Sequence, residues 1–467
     1  RGLGDVYKRQ DLIAVKKGER LVNLDSQIPN RCVEEWLQTG NLFKEIQCIR
    51  PEITYGDSRL DLYAEGDGKK AFIEVKGVTL EEDGVCLFPD APSERAVRHI
   101  EELIKAKKEG YEAILFFVIQ MKEVRYFTPN QKTQPEFAEA LKRAKAAGVK
   151  ILAYDCEVSK DEIRICDPVD VVLGYGTAAD YELNTDSMGA AVGRFANRIA
   201  GAQFPLYEEI VHVTANQHGN CLHSGLHGFS HSMFDVELTP GETDSVTMTA
   251  VSPAGTDGFP GNMTLTIQYS LAKSGLVIRY GATTDAPTVC NMTNHSYFNL
   301  NGHASGSALG HRLTIDADYY LEADPYSIPT GRKLPVEGTP MDFTEEKTLG
   351  LDIGADFAPL KECSGYDQCY IIRDSGLRHA AWAVGPETSI RMEVLTTLPG
   401  MHLYSANFLA PVTDGKDGAH YAARDAVCFE TEDFPDAPNH PNFPDTTLLP
   451  DQPYSSTTIY RFDIAPM

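Results

Sequence analysis

Two hydrophobic patterns, which meet at about residue 170, constrain what this chain can fold into. In the first part, strand patterns at 72–75, 114–119 and 150–154 alternate with helical patterns. After residue 170 the helical patterns almost vanish, and short β-rich runs alternate with clusters of Gly, Pro, Asn and Asp. The sequence therefore predicts two domains, an N-terminal α/β domain and a C-terminal all-β sandwich.

Cap and turn residues locate the two helices of the first part. One helix is predicted to open at Pro92 and Ser93 and to run to Gly110, and another to run from about 135 to 147 and stop at Gly148. Strands of the second part are predicted at 246–251, 263–269, 276–280 and 457–462.

The charge of the chain divides at the same place. Residues 1–170 contain 27 of the 42 Lys and Arg and 31 of the 67 Asp and Glu, which leaves 15 basic and 36 acidic residues in 171–467. So large an acidic surplus repels a phosphate backbone, whereas the nearly neutral first part can still carry a local basic face. We therefore expect the two domains to have different partners.

Cysteine usage and hydropathy indicate the compartment. The ten cysteines form no CxxC pair or regular framework, which is typical of reduced thiols. No run approaches the roughly 20 apolar residues of a membrane span. Residues 1–10 lack the apolar core of a signal peptide and are predicted to be a non-native leader. A cytoplasmic location without a membrane partner is expected.

The first part contains one constellation that suits metal chemistry, formed by Asp61, Glu74 and Lys76. Strand periodicity puts Glu74 and Lys76 on one face, and a hairpin would bring Asp61 beside Glu74. Two carboxylates suit Mg²⁺, and a nearby lysine can stabilise charge during phosphodiester cleavage. An isolated Glu-x-Lys is more often a half-exposed strand with alternating charges.

Residues from about 11 to 173 resemble the sugar fermentation stimulation protein (SfsA) family, and the domain is expected to span 11–168. The segments that carry this resemblance are SRLD (58–61), IEVKGVTL (73–80) and FPDAPSERAVRHIEEL (88–103). The resemblance implies a restriction-endonuclease-like core and assigns Asp61, Glu74 and Lys76 to its nuclease-like motif. Asp61 and Glu74 would hold Mg²⁺, and the partner would be DNA, cleaved or only bound. Glu94, Arg95 and His99 lie in the family's helix signature. The β-rich module that begins family members is expected to be missing.

The second part opens with groups that suit a polyhydroxylated ligand. GAAVGRFANRIAG (189–201) places Asn197 beside Arg198, and such neighbouring amide and guanidinium donors offer several fixed hydrogen bonds to hydroxyl oxygens. CLHSGLHGF (221–229) adds His223 and His227. This His-x-x-x-His pair is not embedded in a helical zinc motif and has no obvious third ligand, so zinc is not expected.

Three further segments carry acid–base groups. NMTNHSYFNLNGH (291–303) contains His295, which strand alternation would put on one face with Tyr297. GYDQCYII (365–372) contains Asp367 at a turn entering a strand, and Glu430 follows Phe429 on a short apolar strand. Each alone has a structural interpretation: a core histidine, a turn aspartate, an ion pair. Together, without a metal-binding pattern, they suit cofactor-free acid–base work on a sugar.

These segments, in this order, make residues from about 167 to 467 resemble the aldose 1-epimerase (galactose mutarotase) family, and the domain is expected to span 169–467. Three further segments carry the resemblance: DGFPGN (257–262), ADPYSIPTGRKLPVEGTPMDF (323–343) and LPGMHLYSANFL (398–409). The resemblance implies a galactose mutarotase-like β-sandwich that interconverts the anomers of an aldohexose without a cofactor. It implies Glu430 as general base and His295 as general acid. Sugar-binding residues would be Asn197, Arg198, His223 and Asp367.

The sequence departs from the family pattern in three places. LHGG reads LHSG at 222–225, Leu398 stands where a ligand-facing Gln is common, and Glu432 replaces a Gln, adding negative charge near the proposed base. The first strands of the sandwich are expected to be missing. Two other functions stay open: a hexose-6-phosphate epimerase-like enzyme, and a sugar-responsive nucleic-acid-binding protein.

Overall fold

The computed structural model describes residues 13–465 except 19, 41, 44, 57, 123, 125, 160–161, 167–168, 240–244 and 273–274, and the side chains of 183 and 239. The predicted leader, 1–10, lies outside this range. The chain forms two compact units, Arg1–Pro168 and Val169–Met467. Within the described ranges, no helix is both long and apolar enough to cross a membrane.

The first unit combines helices and strands. Its helices are α1 (Ile28–Gln38), α2 (Glu94–Lys108) and α3 (Pro135–Ala146), and its strands are β1 (Ala14–Lys17), β2 (Arg20–Asn23), β3 (Ile46–Tyr55), β4 (Ser58–Gly66), β5 (Lys69–Val78), β6 (Leu80–Glu82), β7 (Val85–Phe88), β8 (Glu112–Ile119), β9 (Tyr126–Pro129), β10 (Lys150–Val158) and β11 (Ile163–Ile165). Six strands form a mixed sheet in the order β11-β10-β8-β5-β4-β3, in which β5, β8 and β10 are parallel.

Strand β8 shows why this sheet has helices on both faces. Leu115 and Phe117 pack into one core cluster with α2 and α3, whereas Phe116 and Val118 pack into another with α1. A parallel strand that is buried on both faces has the continuous apolar sequence seen here.

The helix boundaries follow the cap residues. The hydroxyl of Ser93 accepts a hydrogen bond from the amide of Ala96, which satisfies a free donor of the first turn of α2. Helix α3 ends two residues before Gly148, which has a φ of 83° that only glycine adopts at low cost. Both predicted helices are therefore confirmed, while α1 was not predicted.

The second unit is mostly β, as predicted. It contains the short helix α4 (Ala358–Glu362) and the strands β12 (Ala191–Val192), β13 (Arg198–Ile199), β14 (Gln203–Leu206), β15 (Glu209–His212), β16 (Cys221–Leu222), β17 (Asp235–Thr239), β18 (Ser245–Ser252), β19 (Met263–Ala272), β20 (Gly275–Thr284), β21 (Thr288–Val289), β22 (Thr293–Asn294), β23 (Arg312–Ile315), β24 (Ala317–Ala323), β25 (Pro329–Pro335), β26 (Lys347–Thr348), β27 (Asp367–Ile372), β28 (Arg378–Val384), β29 (Ile390–Thr396), β30 (Gly400–Tyr404), β31 (Cys428–Glu432), β32 (Thr447–Leu448) and β33 (Tyr454–Ile464).

Two antiparallel sheets organise this unit. The larger has the order β17-β18-β19-β20-β33-β29-β28-β23-β26, and the smaller has the order β25-β24-β27-β30-β31. One core cluster holds side chains of both, for example Ile267 and Val394 from the larger sheet and Leu403 and Phe429 from the smaller. The two sheets therefore share a core, and the other face of the smaller sheet is left for the site.

Candidate functional site

A polar cleft of about 180 Å³ lies over the smaller sheet of the second unit. It gathers all six residues that the sequence predicted for the sugar site. Its lining is Thr185, Asp186, Ser187, Asn197, Arg198, Gln217, Leu222, His223, His295, Tyr297, Asp367, His402, Tyr404, Phe408 and Glu430.

Three neighbouring strands form the floor of the cleft. His402 on β30 is in register with Glu430 on β31, so the two side chains lie on one face of the sheet. Asp367 on β27 is in register with Tyr404, two residues further along β30, and shares that face. Phe429, adjacent to Glu430, packs into the core instead. Strand alternation thus directs the polar groups into the cleft.

His295 and Glu430 form the centre of the site. The imidazole Nε2 lies 3.5 Å from the carboxylate Oε1, and both side chains are buried. Burial raises the pKa of Glu430 to about 8, and the charge of Glu432 adds to this shift. Burial also lowers the pKa of His295 to about 4. Because burial favours the neutral form of each group, the proton of the free pair resides on Glu430.

Asn197, Arg198 and His223 line one wall. Arg198 donates from Nε to Gln217 Oε1 at 2.8 Å and from Nη1 to Asn197 Oδ1 at 3.2 Å, which fixes the guanidinium. Asn197 and His223 have positive φ angles of 61° and 50°, a sparsely populated conformation that recurs at functional sites.

The backbone amide of Asn197 donates to His223 Nδ1 at 3.2 Å. Burial lowers the pKa of His223 well below its ordinary value, so the ring is neutral. A neutral imidazole that accepts at Nδ1 carries its proton on Nε2. His223 therefore has an N–H donor to offer, and this geometry is suited to a hydroxyl oxygen.

The same tautomer bears on metal binding. His223, His295 and Glu430 bring their donor atoms within 4.8 Å of one another, whereas His227, which the sequence paired with His223, is exposed and lies 3.5 Å from Asp257. A metal ion, however, needs the lone pair of the nitrogen it binds. With Nδ1 occupied by the Asn197 amide, Nε2 of His223 holds a proton instead. These residues therefore fit a hydroxylated ligand better than a metal ion.

Asp367 lies in the cleft between His402 and Arg198. Its Oδ1 accepts from His402 Nε2 at 2.8 Å, and its Oδ2 lies 3.8 Å from Arg198 Nη2. Burial alone would raise the pKa of Asp367, but the hydrogen bond from His402 and the charge of Arg198 outweigh it and hold the pKa well below its usual range. Asp367 is thus an ionised acceptor.

Sequence reasoning missed His402, although its segment, MHLYS, was part of the family match. An isolated histidine on an apolar strand gives no signal, because its partners Asp367 and Glu432 are 35 and 30 residues away. Leu398, where a ligand-facing residue was expected, is buried and is not among the described residues that line the cleft.

The first unit holds a separate cluster. Asp61 and Glu74 lie one position beyond the paired residues Leu62 and Ile73 of β4 and β5, so the expected hairpin brings them together. Asp61 Oδ2 accepts from the Val75 amide at 2.8 Å. Burial, followed by the charge of Glu74, raises the pKa of Asp61.

Glu74 is buried and is held by two bases. Its Oε1 contacts Lys76 Nζ and lies 2.5 Å from His99 Nδ1, while Arg95 Nε donates to His99 Nε2 at 3.4 Å. Burial would raise the pKa of Glu74, but the bonds from His99 and Lys76 lower it overall. Arg95 and His99 of the helix signature therefore contact the strand motif through Glu74. Glu94, in the first turn of α2, is exposed.

Glu74 Oε2 is buried and has no hydrogen-bond partner among the described residues. An unpartnered buried carboxylate oxygen near a second carboxylate is an expensive arrangement in the absence of a cation. Oxygen donors of this kind are the ligands that Mg²⁺ prefers. Asp61 and Glu74 therefore fit such an ion.

In the second unit, a buried carboxyl and an imidazole face each other in a polar cleft, which defines the class of acid–base enzymes that move protons on a small polar substrate. The family model for aldose 1-epimerase matches residues 161–461, and that for the sugar fermentation stimulation protein RE domain matches residues 27–162. The chain belongs to the aldose 1-epimerase family through its second unit and to the sugar fermentation stimulation protein family through its first. The second unit makes it an aldose 1-epimerase, an isomerase.

Individual relatives agree with this division. Human galactose mutarotase is 36% identical over 320 residues, which are 68% of this chain and 91% of the human protein. A sugar fermentation stimulation protein homolog from Clostridium beijerinckii is 56% identical over 162 residues, which are 35% of this chain and 72% of that protein. The crystal structure of an aldose epimerase homologue from C. elegans covers 67% of this chain and 92% of its own, at 28% identity and a TM-score of 0.59.

Proposed function

We propose that the second unit interconverts the α and β anomers of aldohexoses, glucose and galactose among them, by opening and reclosing the ring. The observation that carries this proposal is the His295–Glu430 pair, buried at 3.5 Å separation in a cleft lined by hydroxyl-binding groups. The name of the human relative, galactose mutarotase, supports galactose as one substrate.

In this proposal Glu430 is the general base and His295 the general acid. Glu430 takes the proton of the anomeric hydroxyl while His295 gives a proton to the ring oxygen, and the C1–O bond of the ring breaks to leave a free aldehyde. Rotation about C1–C2 presents the other carbonyl face. Reclosure with the roles reversed yields the other anomer, and both groups return to their starting protonation states.

The reaction requires one proton on the pair in total. In the free site this proton resides on Glu430, whose pKa is raised by burial to about 8, while that of His295 is lowered to about 4. The reactive arrangement has the same proton count, with the proton moved to His295. The short distance between the two groups allows this transfer, after which the carboxylate faces the anomeric hydroxyl.

Four residues would hold the sugar. Ionised Asp367 accepts from hydroxyl groups, and Asn197, Arg198 and the Nε2–H of His223 donate to hydroxyl or ring oxygens. The reaction changes no oxidation state, so the proposed mechanism uses no cofactor.

The cleft argues against a hexose-6-phosphate substrate. Among the described residues that line it, Arg198 is the sole Arg or Lys, and this guanidinium is already shared with Asp367, Asn197 and Gln217. A phosphate dianion would need further cations or helix N-termini to replace its hydration.

Polarimetry of freshly dissolved α-D-glucose and α-D-galactose tests the proposal. The wild-type protein should accelerate mutarotation. The rate with Glu430→Gln should be lower by about 10²-fold or more, since a positioned proton transfer typically raises a rate by about 10²–10⁴-fold. Equal rates in both proteins would refute the assignment. A folded protein without any acceleration, whose DNA affinity depends on hexose, would instead support the sugar-responsive nucleic-acid-binding function.

For the first unit we propose a second function, a Mg²⁺-dependent action on DNA or a DNA-binding role that retains the nuclease-like motif. The unpartnered Oε2 of Glu74 beside Asp61 favours it. These two carboxylates would hold the ion, which polarises a phosphodiester when bound, and Lys76 would stabilise the developing charge. Cleavage or binding of DNA titrated with Mg²⁺ tests this, and activity equal to that of Asp61→Ala would exclude it.

A further inference from the structure

His402 occupies the middle of the cleft floor, where both of its ring nitrogens meet carboxylates. Nε2 lies 2.8 Å from Asp367 Oδ1, and Nδ1 lies 3.4 Å from Glu432 Oε1. Asn197 Nδ2 is 3.1 Å from the same Nδ1 and donates to Glu432 Oε1 at 3.2 Å. An imidazole between two carboxylates can donate from both nitrogens only as the imidazolium.

The position of His402 places that charge beside the base. His402 and Glu430 are direct cross-strand neighbours, and Glu432 lies two residues from Glu430 on the same face. Glu432 is fully buried, and its other oxygen, Oε2, has no partner among the described residues. Without a cation nearby, an ionised Glu432 would destabilise the folded protein and would oppose the ionisation of Glu430.

Every neighbouring element contributes a titratable or charged group to this environment. Those that face His402 are Asp367 and Cys369 from β27, Glu430 and Glu432 from β31, Arg198 from β13, His223 from the loop after β16, and His295 from the loop after β22.

We propose that His402 is a positioning residue for the epimerase reaction: as an imidazolium held by Asp367 and Glu432, it neutralises Glu432 beside the base and fixes the sugar-binding carboxylate of Asp367. This inference rests on the proposed function. His402 acts through Glu430 and Asp367, and none of its roles requires it to exchange a proton with the sugar.

The pKa shifts of the neighbouring groups have opposing causes. Burial raises the pKa of Glu432, and the hydrogen bond and the charge of His402 lower it without outweighing burial. Burial would lower the pKa of His402, but its hydrogen bonds to Asp367, Cys369 and Glu432 outweigh burial and raise it well above the ordinary value. For Glu430, burial raises the pKa, the charge of His402 lowers it, and that of Glu432 raises it. The charge of His402 also lowers the pKa of His295, after the larger effect of burial.

A competing arrangement gives a different result. A neutral His402 would donate from Nε2 to Asp367 and accept at Nδ1 from Asn197 Nδ2. It would then serve only as a hydrogen-bonded spacer, and its replacement by a neutral hydrogen-bonding side chain would leave the titration of Glu430 and His295 unchanged.

The experiment measures kcat/KM against pH for wild type, His402→Gln, Glu432→Gln and the double variant. Loss of the cation should move both limbs of the His402→Gln profile to higher pH, by about 1 unit for a charge at this range. Adding Glu432→Gln should move them back toward wild type. His303→Gln, which alters a histidine bonded to Tyr421 outside the cleft lining, serves as the matched control and should keep the wild-type profile.

The outcomes separate the inference from the function on which it rests. A wild-type protein without mutarotase activity would overturn the proposed function itself. Wild-type activity combined with an unshifted His402→Gln profile, or a shift that Glu432→Gln does not reverse, would overturn the role of His402 alone. If His402→Gln does not fold, ¹⁵N NMR of the wild-type imidazole decides, because resonances of a neutral ring at pH 7 would contradict the imidazolium.

Discussion

His295 Nε2 lies 3.5 Å from Glu430 Oε1. In the mechanism that we propose, this pair sets the pH range in which the enzyme can work. Below about pH 4 both groups are protonated and no base remains, because the pKa of His295 is lowered to about 4 by burial. Above about pH 8 the shared proton is lost from Glu430, so no acid remains. We predict a bell-shaped dependence of kcat/KM on pH that falls at both ends.

Glu430→Gln measured over the same range serves as the control for this prediction, because hydroxide itself speeds mutarotation. A wild-type rate, corrected in this way, that kept rising above pH 9 would contradict the need for a shared proton.

The carboxyl of Glu430 should lower the free energy of unfolding of the protein. Its pKa in the folded state is about 8, raised by burial, against about 4.3 for an exposed glutamate. The folded state therefore holds the proton more tightly, and its contribution to stability is present at acid pH and lost as pH rises through 8. Glu430→Gln, which stays neutral, should raise the free energy of unfolding at pH 8 by about 2–4 kcal/mol.

Chemical denaturation of both proteins at pH 5 and pH 8 checks this. The difference between them should shrink at the lower pH, and a variant less stable than wild type at pH 8 would show that the carboxylate is stabilised by contacts that glutamine cannot make.

Much of the fold was predictable because the patterns are local. Ser93 and Gly148 mark helix ends through bonds and φ angles that depend on neighbouring residues alone. Helix α1 was missed although Ile28, Cys32, Val33, Trp36 and Leu37 recur at helical spacing, because the side chain of its N-cap, Gln27, makes no capping bond that marks where the helix begins.

The site was predictable only where a residue type carries its own chemistry within a recognisable segment. Glu430 and His295 belong to segments that the family match marked. The role proposed for His402 depends on strand register, which joins positions 28 or more residues apart. The tautomer of His223 likewise depends on one backbone amide, at Asn197, that only the folded chain brings into reach.

The carboxylates of the first unit give a prediction that needs no nuclease activity. If Asp61 and Glu74 bind Mg²⁺, adding the ion should protect strands β4 and β5 from hydrogen exchange, since a ligand held only by the folded state stabilises it. Asp61→Asn should abolish this protection. Glu139→Gln, which changes an exposed carboxylate on α3 paired with Lys142, is the matched control and should respond to Mg²⁺ like wild type. Equal protection in Asp61→Asn would rule out the site.

Arg198→Lys should weaken sugar binding more than it slows the chemistry. Arg198 reaches three groups at once: its Nε donates to Gln217, its Nη1 donates to Asn197, and its Nη2 lies 3.8 Å from Asp367. A lysine keeps the charge but cannot make these three contacts with one planar group, so the wall of the cleft formed by Asn197 and Arg198 loses its geometry.

We expect KM for galactose to rise about 10-fold in Arg198→Lys, as for the loss of one hydrogen bond to a charged group, with a smaller change in kcat. Arg332 is an exposed residue of β25 that pairs with Glu322, and Arg332→Lys serves as the control that should keep the wild-type KM. A variant of Arg198 whose kcat fell while its KM stayed constant would instead place the guanidinium in the transition state.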